Sequence, residues 1–103
     1  MERGEVRWAE LSAPFGRRPV VLVSRDEAYS VRRRVAVVEV TTTVRGLATE
    51  VALGRRDGLP GRCVANADGV HTIVTERIGE RMAWLRPDRV DQLDRALRFA
   101  LAL

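Results

Sequence analysis

Short runs of β-branched and aliphatic residues recur about every ten residues along this chain, and their spacing constrains its fold more than any other feature. Clusters of Gly, Pro, Asp and Arg separate the runs, which is typical of small antiparallel barrels and sandwiches. The clearest runs are Glu5–Leu11, Pro19–Val23, Val35–Val40 and Thr49–Leu53. The sequence therefore predicts a mainly β fold, a small antiparallel β-barrel with helices.

Two of these runs have the pattern of central strands. Pro19–Val23 and Val35–Val40 are apolar almost without interruption, as strands covered on both faces are. Pro19 suits the first position of a strand because proline has no N–H to donate to a neighbouring strand. The remaining β part is predicted as three shorter strands and two loops. The strands are Cys63–Asn66, Val70–Ile73 and Arg81–Leu85, and the loops are Arg25–Arg34 and Gly54–Gly61.

The last segment has a different period. From Pro87 onward the apolar residues, beginning with Val90, Leu93 and Leu97, follow the spacing of an amphipathic helix. Proline is favoured in the first turn of a helix, and the early Asp88 is favourable near the positive end of the helix dipole. We expect this helix to run to the end of the chain.

Composition excludes several classes of protein. At 103 residues the chain has room for one domain, expected to span residues 1–103. With 46% hydrophobic and 31% charged residues it has the composition of a globular protein. No apolar run approaches the roughly 18 residues of a membrane-spanning helix, so no membrane partner is expected. The charged first residues lack the apolar core of a secretory signal, which favours a cytoplasmic location.

A single cysteine and a single histidine limit the chemistry further. They cannot build a zinc cluster, and the carboxylates lack the spacing of a calcium loop. No phosphate-binding or hydrolase motif is present. We therefore expect neither a metal ion nor a cofactor, and we expect Cys63 to be a small core residue.

All 18 cationic residues are arginines, and the net charge is +4. Guanidinium groups bind phosphate in pairs of hydrogen bonds and stack on bases, so a nucleic-acid partner fits this excess. A coding sequence rich in G and C would produce the same bias without any such function. Charge alone leaves both interpretations open.

Five sequence features in a fixed order carry a resemblance to a known family. They are Gly4-Glu5-Val6 followed by Trp8, the segment Arg18–Ser24, the segment Val37–Thr43, Asn66-Ala67-Asp68 followed by His71-Thr72-Ile73, and the closing helix. With these features nearly the whole chain resembles the MazF/PemK family of toxin endoribonucleases. The resemblance implies an SH3-like, PemK-type barrel with a C-terminal helix that forms a homodimer. It also implies metal-independent cleavage of single-stranded RNA and inhibition by a cognate antitoxin protein.

The resemblance assigns two catalytic residues by position. The arginine before the proline that opens the second strand is Arg18, and the hydroxyl residue at the end of the following long strand is Thr41. Arg18 is expected to clamp the phosphate oxygens, because an arginine stays protonated and cannot serve as a base. Thr41 is expected to donate a hydrogen bond to the phosphate or to the departing oxygen. The candidate RNA-binding residues are Arg17, Arg25, Thr42, Arg45 and His71.

Each of these residues also has an ordinary structural interpretation. An arginine at a strand start is usually solvated, and threonines at a strand end often reflect β-propensity. His71 is the one conventional base candidate, although lone histidines are more often structural. Trp8 and Trp84 lie in apolar strand-like runs, which favours core or dimer-interface roles over base stacking.

Two alternatives to a nuclease share the same barrel. The first is a non-catalytic module that binds a protein target, as in the related gyrase-poisoning toxins; the absence of a tryptophan after Trp84 counts against that target. The second is an inactive relative that only binds partners, against which the presence of both Arg18 and Thr41 argues.

The chain departs from the family in two places. Glu39 replaces a proline that is often found two positions before the catalytic hydroxyl, and its charge disfavours a nearby phosphate unless an arginine neutralises it. The segment between the first strand and Arg18 is also short.

Overall fold

The computed structural model describes residues 1–103 and contains six strands and two helices. Two 3₁₀ turns, Arg55–Asp57 and Thr75–Arg77, connect strands late in the chain. The elements in chain order are β1 (Glu5–Leu11), β2 (Gly16–Leu22), α1 (Ala28–Val31), β3 (Arg34–Thr41), β4 (Glu50–Leu53), β5 (Cys63–Val74), β6 (Ile78–Trp84) and α2 (Pro87–Leu101).

The strands form one antiparallel sheet in the order β4-β5-β3-β2-β1-β6. Although β4 and β6 are the two edges, the segment after β4 reaches β6, because a Cβ at Gly58 would lie 2.8 Å from Cβ of Ala83. The sheet therefore curls into a barrel that is open between its edge strands. Together with the C-terminal helix, this confirms the predicted mainly β fold.

Both faces of the central strands are covered by apolar residues. Val20, Val21 and Leu22 of β2 are fully buried, as the unbroken apolar run predicts. Alternation places Val21 in a large cluster closed by Leu93 and Ala96 of α2. Val20 and Leu22 face a smaller cluster on the other side, against which Tyr29 packs. Arg18 of β2, a candidate catalytic residue, lies on this same second face, beyond the apolar cluster.

Three predicted segments have a different structure from the one expected. The expected loop Arg25–Arg34 contains the short helix α1, and the expected exposed loop Gly54–Gly61 folds back so that Asp57 and Leu59 are buried. The two expected strands from Cys63 to Ile73 are one strand, β5, with a bulge. Val38 and Glu39 of β3 pair with Val70 and Asn66, so residues 67–69 are extra on β5. Because residues 67–69 are small or polar, the sequence suggests a break between two strands at this point.

Neither α1 nor α2 has the length and hydrophobicity that a membrane-spanning helix requires.

The segment after β4 is held in place by the carboxylate of Asp57, whose side chain is 1% exposed. Asp57 Oδ2 accepts a hydrogen bond from the Gly54 N–H at 2.9 Å, and Oδ1 accepts one from Arg89 Nε of α2 at 3.0 Å. One buried carboxylate therefore joins this segment to the helix.

We predict that Asp57→Ala lowers the free energy of unfolding by about 2 kcal/mol, because the partly buried Gly54 N–H and the Arg89 guanidinium lose their acceptor. Denaturant unfolding at one fixed protein concentration measures this change. Glu10→Ala is the control, since Glu10 and Arg17 form an exposed pair at 4.0 Å that should contribute less than about 1 kcal/mol. Equal stabilities for Asp57→Ala and the unmodified protein would contradict the assignment.

A second stability prediction concerns Tyr29, the only tyrosine of the chain. Burial raises the pKa of its phenol from 10.0 to about 12. Because the unfolded chain loses the phenolic proton first, this contribution to stability is complete below about pH 10 and declines up to about pH 12. Unfolding midpoints measured across this window should fall more steeply than in Tyr29→Phe. Identical slopes in the two proteins would show that the phenol is not buried.

Candidate active site

The register between β2 and β3 brings Arg18 and Thr41 together. Val20 of β2 pairs with Glu39 of β3, and the same antiparallel register continued by two residues sets Arg18 opposite Thr41. Both side chains line one cavity of about 360 Å³. The two residues assigned to catalysis by resemblance are thus neighbours in the fold.

The guanidinium of Arg18 is held by two neighbours. Its Nε donates a hydrogen bond to the Phe15 carbonyl at 3.3 Å, and its Nη1 donates one to Glu39 Oε2 at the same distance. The guanidinium carbon also lies 5.5 Å from the centre of the Phe15 ring. The loop between β1 and β2 therefore fixes the orientation of Arg18.

Glu39 is a buried carboxylate at the centre of this site, with its side chain only 10% exposed. Besides Arg18, its Oε2 lies 3.5 Å from His71 Nε2, and its Oε1 accepts a hydrogen bond from Asn66 Nδ2 at 3.4 Å. Two features of the sequence point to this group: its charge lies inside an apolar run, and a phosphate nearby would require an arginine to neutralise it. Its contacts with His71 and Asn66 depend on the bulge in β5 and have no signal in the sequence.

The hydroxyl of Thr41 is free to donate. Its Oγ1 accepts a hydrogen bond from the Thr43 N–H at 3.1 Å, and this leaves the O–H proton uncommitted. Arg45 lines the same cavity. Its backbone N–H and that of Gly46 donate to Glu50 Oε1 at 3.0 and 2.8 Å, so Glu50 orders the loop that carries Arg45.

His71 lies behind this cavity and does not line it. Its ring meets the Phe15 ring edge to face, with centroids 4.8 Å apart, and its Nε2 is buried without a hydrogen-bond partner. Its contacts with residues that line the cavity are those with Glu39 and Phe15.

Arg17, Thr42 and Arg25 lie outside the cavity. Arg17 projects from the opposite face of β2 to Arg18 and lies 4.3 Å above the Trp8 ring. Thr42 and Trp8 line a second cavity of about 250 Å³, which Thr41 also borders. Arg25 is exposed beyond the other end of β2.

The cysteine and the second tryptophan have no place in the site. Cys63 is a buried core residue, as predicted, and burial followed by the charge of Asp57 raises the pKa of its thiol. Trp84 is 49% exposed, so of its two predicted roles the core role is wrong and the dimer-interface role stays a prediction. No group of three or more His, Cys, Asp or Glu residues is arranged to hold a metal ion.

Comparison with known proteins places this chain in one family. Residues 2–101 match the family described as PemK-like, MazF-like toxin of type II toxin-antitoxin system. The chain is 42% identical over 100 residues to the probable endoribonuclease MazF5 of Mycobacterium tuberculosis, covering 96% of this chain and 91% of that protein.

Solved structures agree with this assignment. The M. tuberculosis toxin MazF-mt6 superposes with a TM-score of 0.88 at 31% identity, covering 96% of this chain and 97% of that one. A mycobacterial endoribonuclease in complex with its cognate antitoxin also gives a TM-score of 0.88, at 30% identity and with coverage of 100% and 96%. The chain belongs to the PemK-like, MazF-like toxins of type II toxin–antitoxin systems.

Proposed function

We propose that this MazF-family toxin cleaves single-stranded RNA at the cavity between Arg18 and Thr41, without a metal ion. The products are a 2',3'-cyclic phosphate, or the 3'-phosphate that follows it, and a 5'-hydroxyl end. The observation that carries the proposal is the β2–β3 register, which aligns an arginine and a free threonine hydroxyl on one cavity. The cellular result is inhibition of translation and growth.

Cleavage through the RNA's own 2'-hydroxyl needs an in-line attack and a stabilised phosphorane. Arg18 supplies fixed N–H donors for the non-bridging oxygens, since two contacts already set the plane of its guanidinium. The Thr41 hydroxyl donates a hydrogen bond to the phosphate or the departing 5'-oxygen. Both donors are in place before the substrate arrives, which reduces the reorganisation that the transition state requires.

The neighbouring surface suits an RNA strand. Arg45 shares the cavity and provides a second cation for the backbone. Thr42 and the Arg17–Trp8 stack lie beside Thr41, where they contact the adjoining nucleotides. Arg25 contacts only a more distant part of the strand, and His71 acts from behind the cavity.

The proposed assembly is a homodimer in the cytoplasm, with residues 1–103 acting as one domain. Exposed apolar side chains at the end of α2 support a protein interface, because Phe99 is 68% and Leu101 54% exposed. A cognate antitoxin is the proposed inhibitor, since a similar endoribonuclease has been solved with its antitoxin. The excess of arginine fits an acidic antitoxin segment.

We predict that the purified protein cuts a long single-stranded RNA at discrete sites in excess EDTA. Arg18→Ala and Thr41→Val should each lower the cleavage rate by about 100-fold or more, because each removes a donor aimed at developing charge. Sequencing of the cut ends measures site and rate together. Arg33→Ala is the control, because Arg33 forms only an exposed pair with Glu76 at 3.6 Å and should leave the rate unchanged.

Absence of cleavage by the folded protein on several RNAs would reject the nuclease. It would instead support a non-catalytic toxin that binds a protein target. Cleavage at the same rate by Arg18→Ala or Thr41→Val would reject this site.

A further inference from the structure

Cleavage through a 2'-hydroxyl needs a group that accepts its proton, and neither proposed catalytic residue can do so. Arg18 remains protonated, and the hydroxyl of Thr41 is a donor in the arrangement described above. The cavity that they share is lined by two carboxylates, Glu39 and Glu50. Carboxylates are general bases, so the proton acceptor is to be sought between these two.

Glu50 is already bound to the backbone of the loop that precedes it. Its Oε1 accepts hydrogen bonds from the backbone N–H groups of Arg45, Gly46 and Leu47 at 3.0, 2.8 and 3.3 Å. Its Oε2 accepts a further bond from the Arg45 N–H at 3.3 Å. Proton transfer to Glu50 would release the loop that carries Arg45, which leaves Glu39 as the candidate.

The carboxylate of Glu39 has both the position and the spare capacity. It lies against Arg18, directly beside the place where the phosphate binds. Its contacts with Arg18 and Asn66 are long, at 3.3 and 3.4 Å, and each oxygen has two lone pairs. An incoming hydroxyl can therefore bind without first breaking a short hydrogen bond.

The backbone of β5 is shaped around this carboxylate. A Cβ on Gly69 would lie 2.6 Å from Cδ of Glu39 and closer still to Oε1. Only glycine at this position in the bulge leaves room for the observed side chain of Glu39. Asn66 and His71, which flank the bulge, contact its two oxygens. The bulge thus holds the carboxylate of Glu39 at the edge of the cavity.

We propose that Glu39 is the general base of the cleavage reaction, held in position by Asn66 and His71. This inference rests on the proposed function. Glu39 takes the proton of the 2'-hydroxyl as the 2'-oxygen forms its bond to phosphorus. The P–O5' bond breaks, its electron pair leaves on the 5'-oxygen, and that oxygen takes a proton from water. Glu39 then returns its proton to solvent, so the reaction releases no net proton.

His71 is a positioning residue in this arrangement. Its Nε2 is buried 3.5 Å from Glu39 Oε2, and the ring is packed under Phe15 without reaching the cavity. It limits the movement of the carboxylate and does not touch RNA.

The test compares Glu39→Gln with the unmodified protein on one RNA that carries the mapped cleavage site. The amide keeps the shape of the side chain but cannot accept the proton, so kcat should fall by about 100-fold or more. The Kd for the same RNA with a 2'-deoxy nucleotide at the cleavage site should stay the same or decrease, because a negative charge beside the phosphate is removed. An unchanged kcat, or a loss explained entirely by weaker binding, would overturn the proposal.

The pH dependence of kcat separates a base from a purely structural residue. A general base acts only in its deprotonated form, so the activity of the unmodified protein should fall on the acid side, and Glu39→Gln should lack this acid limb. The charged or titratable groups that face Glu39 are Arg18 from β2, His71 from β5, and Arg45 and Glu50 across the cavity. If Glu39→Gln keeps the acid limb, that limb belongs to one of these other groups, and the proposal is overturned.

Gly69→Ala provides a second variant, which removes no polar group from the protein. Its methyl group must displace the Glu39 side chain, so kcat should fall about tenfold or more while the acid limb remains. Gly54→Ala is the matched control, since a Cβ there meets nothing within 4 Å. Full activity of Gly69→Ala would contradict the proposed role even if Glu39→Gln did not fold.

The outcomes also distinguish this inference from the proposed function. If the unmodified protein does not cut RNA, the function itself fails. If it cuts, and Arg18→Ala and Thr41→Val do not, then full activity in Glu39→Gln removes only the base assignment.

Discussion

The antiparallel register of β2 with β3 determines which side chains enter the core and which line the candidate active site. Setting Val20 opposite Glu39 sends one face of β2 to the core beneath α2 and the other to a second apolar cluster that ends in the polar cavity. A shift of one residue would exchange these faces and move Arg18 to the side now taken by Arg17. The apolar pattern therefore specifies the arrangement of Arg18 and Thr41 as firmly as it specifies the core.

Burying the carboxylate of Glu39 beside this register is costly unless polar partners compensate it. Arg18 neutralises its charge, and Asn66 supplies a neutral donor. The bulge in β5 makes this compensation possible. Its three extra residues, 67–69, place Gly69 against the carboxylate and set Asn66 opposite Glu39. A buried charge, a bulge and a glycine, each unfavourable in an isolated strand, are thus mutually consistent here.

Much of the fold could be predicted from the sequence because its signals are local. Apolar runs identify the central strands, and the helical spacing after Pro87 identifies α2. The bulge could not be predicted, since Asn66 to Gly69 looks like a loop unless the pairing with β3 is known. Arg18 and Thr41 were assigned by the resemblance to the MazF/PemK family, because their positions at strand ends alone favour ordinary structural roles. The convergence of Asn66 and His71 on Glu39 depends on long-range pairing, and no residue near Glu39 in the chain indicates it.

The pairing of Arg18 with Glu39 also has an electrostatic consequence for substrate binding. Arg18 uses two of its five N–H donors, one to Phe15 and one to Glu39, so three remain for the non-bridging oxygens of a phosphate. The phosphate therefore need not displace Glu39 to reach the guanidinium. However, the Arg18–Glu39 pair is close to neutral as a unit, so attraction of RNA over a distance must come from the other arginines, beginning with Arg45 in the same cavity. In the proposed reaction, Arg18 thus contributes geometry at the reacting phosphate, while the surrounding cations contribute affinity.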